Sequence, residues 1–407
     1  MLDIIASFDL GGYVLPAFGT VDEISQAIEL SYEMKFLSPE QIKENPFCFK
    51  RINLQVLDKE ARSFTVYGCI FSWRGLTLTS SGIETLKGKF ERLVRENKPN
   101  AVYHSVEFTF EGITKYFPLE KFESAHSPDL NKLVFIKEAG GTELKANLYQ
   151  DVQICVQSKY EGAFESDTLY DLSIHQKKVI MLTADEPRSI DIWLSYIRKI
   201  KHFFEFGNQF KIAISGISFD QVPRTAKSEA LLVSDPILLP VINKKRIDEF
   251  HLLGSESEIL KGLSNWFKVY DKYAQVFEIW QKIIYNSDVS EDDKFLWKCQ
   301  AFELLCTLNE NIYKKACALK TGKNSDPNIK NFLMAVDEVY NLPNWGAQFY
   351  IDTKEARNIV THHNPQKSLS EQSYKNAMQM INGYLTRTVA EIVGYKYLDR
   401  GMLLITK

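Results

Sequence analysis

The chain has 407 residues, 45% of them hydrophobic and 25% charged, a balance that excludes a disordered protein. Its length suggests two or three domains. A formal net charge of -3 excludes a globally basic nucleic-acid binder, so any contact with RNA must come from a local patch or an active site.

The N-terminus has no basic stretch before its apolar residues and carries Asp3 and Asp9, which argues against a signal peptide. No apolar run reaches the ~18 residues a bilayer span needs. The expectation is a cytoplasmic protein with no membrane partner. Six scattered cysteines (Cys48, Cys69, Cys155, Cys299, Cys306, Cys317) form no C-x-x-C pair and no Cys/His cluster. They read as buried free thiols in a reducing compartment, and neither a metal site nor a cofactor is expected.

Up to about residue 250 the dominant period is two. Phe64 to Phe71 is β-branched and aromatic, which suits a pleated surface. Leu76–Thr79 reads as a strand, followed by a helix over Gly82–Glu96. Val102, His104, Val106, Phe108 and Phe110 would share one strand face, and Tyr103, Ser105, Glu107, Thr109 and Glu111 the other. His104 reads as a core or semi-buried residue. Val152, Ile154 and Val156 alternate with Gln153, Cys155 and Gln157. Gly11-Gly12, Ala139 to Gly141 and Glu161-Gly162 read as turns. A helix is predicted from Pro187 to Phe206, with Ile190, Trp193, Leu194, Ile197, Ile200 and Phe204 at helical spacing. This half is expected to be antiparallel and sandwich-like, with two packed lobes at about 1–140 and 141–249.

Residues 250–407 are expected to be an all-α bundle, making the whole chain α+β. Ser255 or Ser257 would cap a helix running to about Tyr285. Further helices are predicted over Glu291–Lys320, Asn328–Tyr340 and Ala347–His363, the last stopped by Asn364-Pro365. Ser368 and Glu371 have capping-box spacing and open a helix to about Tyr395.

One short segment of the bundle carries chemistry: Arg357, Asn358, Ile359, Val360, Thr361, His362. RNA brings its own nucleophile, the 2′-OH. A histidine near neutral pKa can move that proton or protonate the leaving oxygen. An arginine fork can hold the scissile phosphate. Spacing alone is weak: 12 arginines and 7 histidines give about 0.6 such matches by chance. Arg246 to His251 has the same spacing, but Asp248 and Glu249 would repel phosphate, and it sits at the domain junction. In one straight helix His362 lies ~140° around the axis from Arg357, and His363 ~120° on the other side. Either the last turn loosens before Pro365, or a second subunit completes the site.

At these residues the chain resembles the HEPN superfamily, whose catalytic members carry Arg, a polar residue, and His four to six positions on. Arg357, Asn358 and His362, with His363 as alternate, match that pattern before the last long helix. The resemblance implies a metal-independent endoribonuclease working as a homodimer on RNA. Gln300 to Leu305 is similar to an earlier helix of such bundles, and Glu303 would then pair with Arg357. Lys354, one turn before Arg357, would add positive charge. The layout as a whole, with the aromatic run Ile190 to Gly207, resembles ApeA-like anti-phage proteins, which implies abortive-infection defence and a β half that senses a phage-derived or host activator. Asn364 replaces the tyrosine that HEPN toxins modified by a nucleotidyltransferase carry two residues after the histidine. Two other functions fit the residues: a non-catalytic bundle that dimerises or binds RNA or nucleotide, and a carbohydrate- or protein-binding β-module. Trp73-Arg74 and Trp345 are the best candidates for exposed aromatics.

Overall fold

The computed structural model describes residues 1–10, 13–33, 52–72, 83–96, 101–119, 122–127, 132–137, 143–164, 172–222, 230–235, 238, 254–286, 288–320, 326–341, 347–362 and 369–395. The strand at 76–79, the Arg246–His251 segment, Cys48, Trp73, Arg74, Trp345 and His363 lie outside them, as do Gly11-Gly12 and residues 139–141.

The first half forms β1 (Leu2–Leu10), β2 (Tyr13–Asp22), β3 (Ala27–Glu33), β4 (Ile52–Asp58), β5 (Ser63–Ser72), β6 (Ile83–Lys89), β7 (Arg92–Glu96) and β8 (Val102–Phe110). Next come β9 (Phe122–Ser127), β10 (Lys132–Lys137), β11 (Leu144–Tyr149), β12 (Val152–Phe164) and β13 (Leu172–Ser189). Helix α1 (Ile190–Asn208) precedes β14 (Ile214–Asp220) and β15 (Ala230–Ser234). Thirteen strands join in the order β11-β12-β13-β8-β14-β15-β7-β5-β4-β1-β2-β3-β6, while β9 and β10 pair with each other. Every pairing is antiparallel, as the period predicts.

Because β6 pairs with β5 as well as β3, strands β5-β4-β1-β2-β3-β6 close into a six-stranded ring. Closure removes the open edges a flat sheet would expose. Ile4, Ala6, Ala17, Val21, Ile28, Leu30, Leu54, Val56, Phe64 and Val66 form its buried core. Their alternating neighbours Ile5, Phe18 and Leu57 are exposed, as the two-residue pleat requires. The predicted helix at Gly82–Glu96 is instead β6 and β7. Gly88 would weaken a helix by about 1 kcal/mol, and in the ring its backbone is flanked by Ile28 and Phe71 on two strands. Glu161-Gly162 is no turn either: both residues run through β12, opposite His175 and Ile174 of β13.

The helical half comprises α2 (Glu256–Tyr270), α3 (Ala274–Tyr285), α4 (Glu291–Leu308), α5 (Glu310–Ala318), α6 (Ile329–Tyr340), α7 (Ala347–His362) and α8 (Glu371–Val393). The molecule is α+β: an antiparallel sheet region followed by an all-helical region. Two long predicted helices are each divided. A 3-10 turn at Asp271–Tyr273 separates α2 from α3. Asn309 leaves the helical conformation between α4 and α5, and its side chain caps α5 by accepting from Ile312 N. Ser255 does cap α2, with Glu258 accepting from its backbone N–H at 2.9 Å. The cap of α8 is Ser370, which accepts from Ser373 N, and Ser368 lies outside the described residues.

The apolar core of the helices is continuous with that of β8, β12, β13 and β14. Helix α1 is the bridge. Trp193 donates to Tyr103 O in β8 at 2.9 Å, and Trp266 of α2 donates to Lys199 O of α1 at 3.0 Å. Ser264 of α2 donates to Asn147 O of β11 at 2.6 Å.

Candidate functional site

The site is built on α4, α5, α6 and α7. Helix α7 owes its place to a buried polar clamp. Asp337 of α6 accepts from Tyr350 of α7 and, at 2.8 and 2.7 Å, from Tyr384 of α8. Burial pushes the Asp337 carboxyl above the usual range, and the two hydroxyls pull it back part of the way. Tyr350, Ala356 and Val360 face the core. Arg357 and Lys354 therefore lie on the flank of α7 that looks across to α4 and α5.

Arg357 meets Glu303 there. Its Nη2 lies 3.3 Å from Glu303 Oε2. This is the pairing predicted from the sequence, and it is looser than the 2.7–2.9 Å of a tight charge-assisted bond. Burial raises the Glu303 carboxyl above the usual range, against the lowering pull of Arg357. Beneath it, Cys299 and Cys306 are buried, and burial pushes both thiols up. The five described cysteines are free thiols, and four of them are buried.

Around this pair opens a cleft of about 420 Å³. Lys354, Arg357 and Asn358 form one wall, and Glu303 and Thr307 continue it along α4. Tyr313 and Phe332, with the chain from Asp326 to Ile329, form the opposite side. The side chains of Lys354, Asn358 and Asp326 have no hydrogen-bond or ion-pair partner among the described residues. The cleft thus offers two cationic side chains, two acids, two amides and two aromatic rings. That set can hold a phosphate at the α7 wall and a planar polar group opposite.

Four of the predicted site residues, Arg357, Asn358, Lys354 and Glu303, line one cleft. His362 does not. It is the exposed last residue of α7, and the helix is unbroken from Arg357 to it. Five residues of α-helix separate the two by ~7.5 Å along the axis and ~140° around it. No loosened last turn brings His362 back within the described residues. Thr307, Tyr313, Asp326, Asn328 and Phe332 were not foreseen. Thr307 alone had a local signal, one helical turn beyond Glu303 on α4.

Among the described residues no helix is long and apolar enough to cross a membrane. Nor do three or more His, Cys, Asp or Glu side chains gather where they could hold a metal ion, again among the described residues.

A closed β-ring, the seven further strands of the same sheet and a helical bundle with a charged cleft describe a protein in which sheet and bundle share a core. The family model for ApeA N-terminal domain 1 matches residues 20–270. The chain belongs to that family and is an ApeA-like anti-phage protein. The match runs through α2, the helix laid on β11, so the matched unit includes the first element of the bundle. No curated protein and no solved structure matches the chain.

Proposed function

We infer that this defence protein is a metal-independent endoribonuclease whose helical half is a HEPN-type bundle. The supporting observation is the Arg357–Glu303 pair at the mouth of a cleft, with Lys354 and Asn358 beside it. Arg357 holds the scissile phosphate and stabilises the charge that builds on its oxygens. The loose 3.3 Å contact lets the phosphate share the guanidinium fork with Glu303. The substrate's 2′-OH attacks its own phosphorus. Electrons move from that oxygen to phosphorus, and the P–O5′ bond breaks. His362 carries the proton at one end, off the 2′-OH or onto the leaving 5′ oxygen, and solvent water takes up or supplies the proton at the other, leaving a 2′,3′-cyclic phosphate and a 5′-OH.

Arg357 and His362 of one chain point to different sides of α7, so the site is composite. Two copies of α7 face each other, and each arginine works with the partner's histidine. The β half senses the phage-derived or host signal.

Arg357→Ala and His362→Ala are each expected to abolish RNA cleavage, with the wild type still cutting in EDTA. The decisive measurement mixes the two variants. In a composite site half the dimers are mixed and each has one intact site of two, so cleavage returns to about a quarter of wild type. A site made within one chain gives no recovery, and that result would overturn the composite reading. Unchanged cutting by both single variants would sink the Arg357–His362 site, and no cutting by the wild type would sink the ribonuclease itself.

The second reading, a bundle that binds RNA or nucleotide without cutting, draws on the same cleft. Tight RNA binding without cleavage at any protein concentration would favour it.

A further inference from the structure

We propose that the cleft beside Arg357 is a one-nucleotide subsite that selects an unpaired guanosine next to the scissile phosphate. This rests on the ribonuclease reading for its place in a reaction, but not for the binding itself.

The cleft is at the small end of the ~300–1,000 Å³ range of ligand sites, which suits one nucleotide and no duplex. Lys354 and the outer edge of Arg357 lie along one wall and meet a phosphate there. Across from them is Tyr313, half-exposed, with its ring backed at 6.5 Å by the buried Phe332. A supported ring of this kind is a stacking platform for a splayed-out base. Thr307, on the α4 wall beside Glu303, donates to Glu303 O at 2.8 Å and keeps its lone pairs for a ribose hydroxyl.

The edge of the base is read by Asp326 and Asn328. An ionised carboxylate only accepts hydrogen bonds. The Asn328 amide uses Oδ1 to cap α6, accepting from Asn331 N at 3.3 Å. That leaves its Nδ2 as a donor to the cleft. The two residues therefore present acceptor, acceptor, donor. Guanine is the base whose pairing edge complements that order: N2–H and N1–H donate and O6 accepts. Adenine and cytosine place a ring-nitrogen acceptor against the carboxylate, and uracil offers a single N–H between two carbonyls. Asp326 and Asn328 are both solvent-exposed, so a mismatched base loses hydrogen bonds that water partly replaces, and the discrimination is about tenfold, one charge-assisted bond.

The test uses the full chain and the four 5′-nucleoside monophosphates in equilibrium binding. GMP is expected to bind about tenfold more tightly than AMP, CMP or UMP. Asp326→Asn removes that preference. Tyr313→Ala weakens all four nucleotides, and Tyr313→Phe restores them. Lys354→Ala brings GMP down toward guanosine. His362→Ala removes cutting and leaves GMP binding as in the wild type. In cleavage-site mapping, the wild type cuts beside unpaired guanosines, and Asp326→Asn spreads the cuts over other bases. GMP binding in a protein that cuts no RNA would refute the ribonuclease while upholding the subsite. Equal affinity for the four nucleotides, or a guanosine preference that survives Asp326→Asn, would overturn the subsite whether or not RNA is cut.

Discussion

Glu303 has two opposed effects on Arg357. It orients the guanidinium through the 3.3 Å contact, and it draws off part of the charge a phosphate would feel. Glu303→Gln keeps the shape and drops the charge. The expected result is a split: kcat for RNA cleavage falls by about tenfold to a hundredfold, corresponding to a lost charge-assisted bond of ~1.5–3 kcal/mol, while KM does not rise. A parallel rise in KM would mean that Glu303 serves substrate binding rather than positioning. Asp337 offers a pH signature. Burial raises its carboxyl, so the ionised form is disfavoured in the folded state. Its favourable contribution is full below the unfolded value of 3.8 and is lost as pH climbs through the raised folded value. The stability deficit of Asp337→Asn relative to wild type should therefore shrink between pH 4 and pH 7 in urea unfolding. A deficit that grows with pH would show that the tyrosine hydroxyls outweigh burial.

Elements that depend on local pattern were legible in the sequence; those set by neighbours were not. Helix α7, predicted over Ala347–His363 from the Asn364-Pro365 stop signal in the sequence, is observed over Ala347–His362. In β8 the alternation holds from Val106 to Phe110, but Tyr103 and Ser105 are buried and Val102 is exposed. The register of β8 against β13 shifts between Thr183 and Arg188, and Trp193 seals Tyr103 from the other side. Neither event is written in β8 itself. The same holds at 83–96, where ring closure by two partner strands overrides a helical reading. In the cleft, Arg357 and Lys354 were found because their charge suits a phosphate, and Asn358 and Glu303 through the resemblance to HEPN bundles. Tyr313 and Asp326 enter through the packing of α5 and α6 against α4 and α7, which no spacing announces. Gly19 marks how tightly one ring pair is built: a Cβ there would lie 1.8 Å from Glu29 O of β3. Gly19→Ala is expected to cost about 3 kcal/mol or more, since the obstacle is backbone and not a mobile side chain. Denaturant midpoints would check it, and a neutral effect would mean that β2 and β3 separate readily.

At the scale of the molecule, the change of period near residue 250 marks where strands give way to helices, but the core does not end there. It continues from β8 and β13 through α1 into α8. The junction holds a buried ionic cluster. Lys201 and Glu205 of α1 form an ion pair with side chains 0% and 1% exposed. Tyr285 of α3 donates to Glu205 at 2.7 Å, Ile212 N at 3.0 Å and Gln281 at 3.4 Å, and Lys201 donates to the Tyr285 hydroxyl. Burial lowers the Lys201 pKa, and Glu205 raises it again. Two charges taken out of water gain little as a pair, but either one left alone is costly. Glu205→Ala should destabilise the chain by about 3–5 kcal/mol, whereas Lys201→Met combined with Glu205→Leu should lie within about 2 kcal/mol of wild type. Because the cluster joins sheet and bundle, the single variant should lower the unfolding midpoint of the β8–α8 core as a whole. Tryptophan fluorescence of Trp193, in α1, and Trp280, in α3, and helical circular dichroism should then move together. A helical transition that shifts while the Trp193 environment stays folded would show that the bundle melts apart from the sheet, and that the shared core does not couple the two.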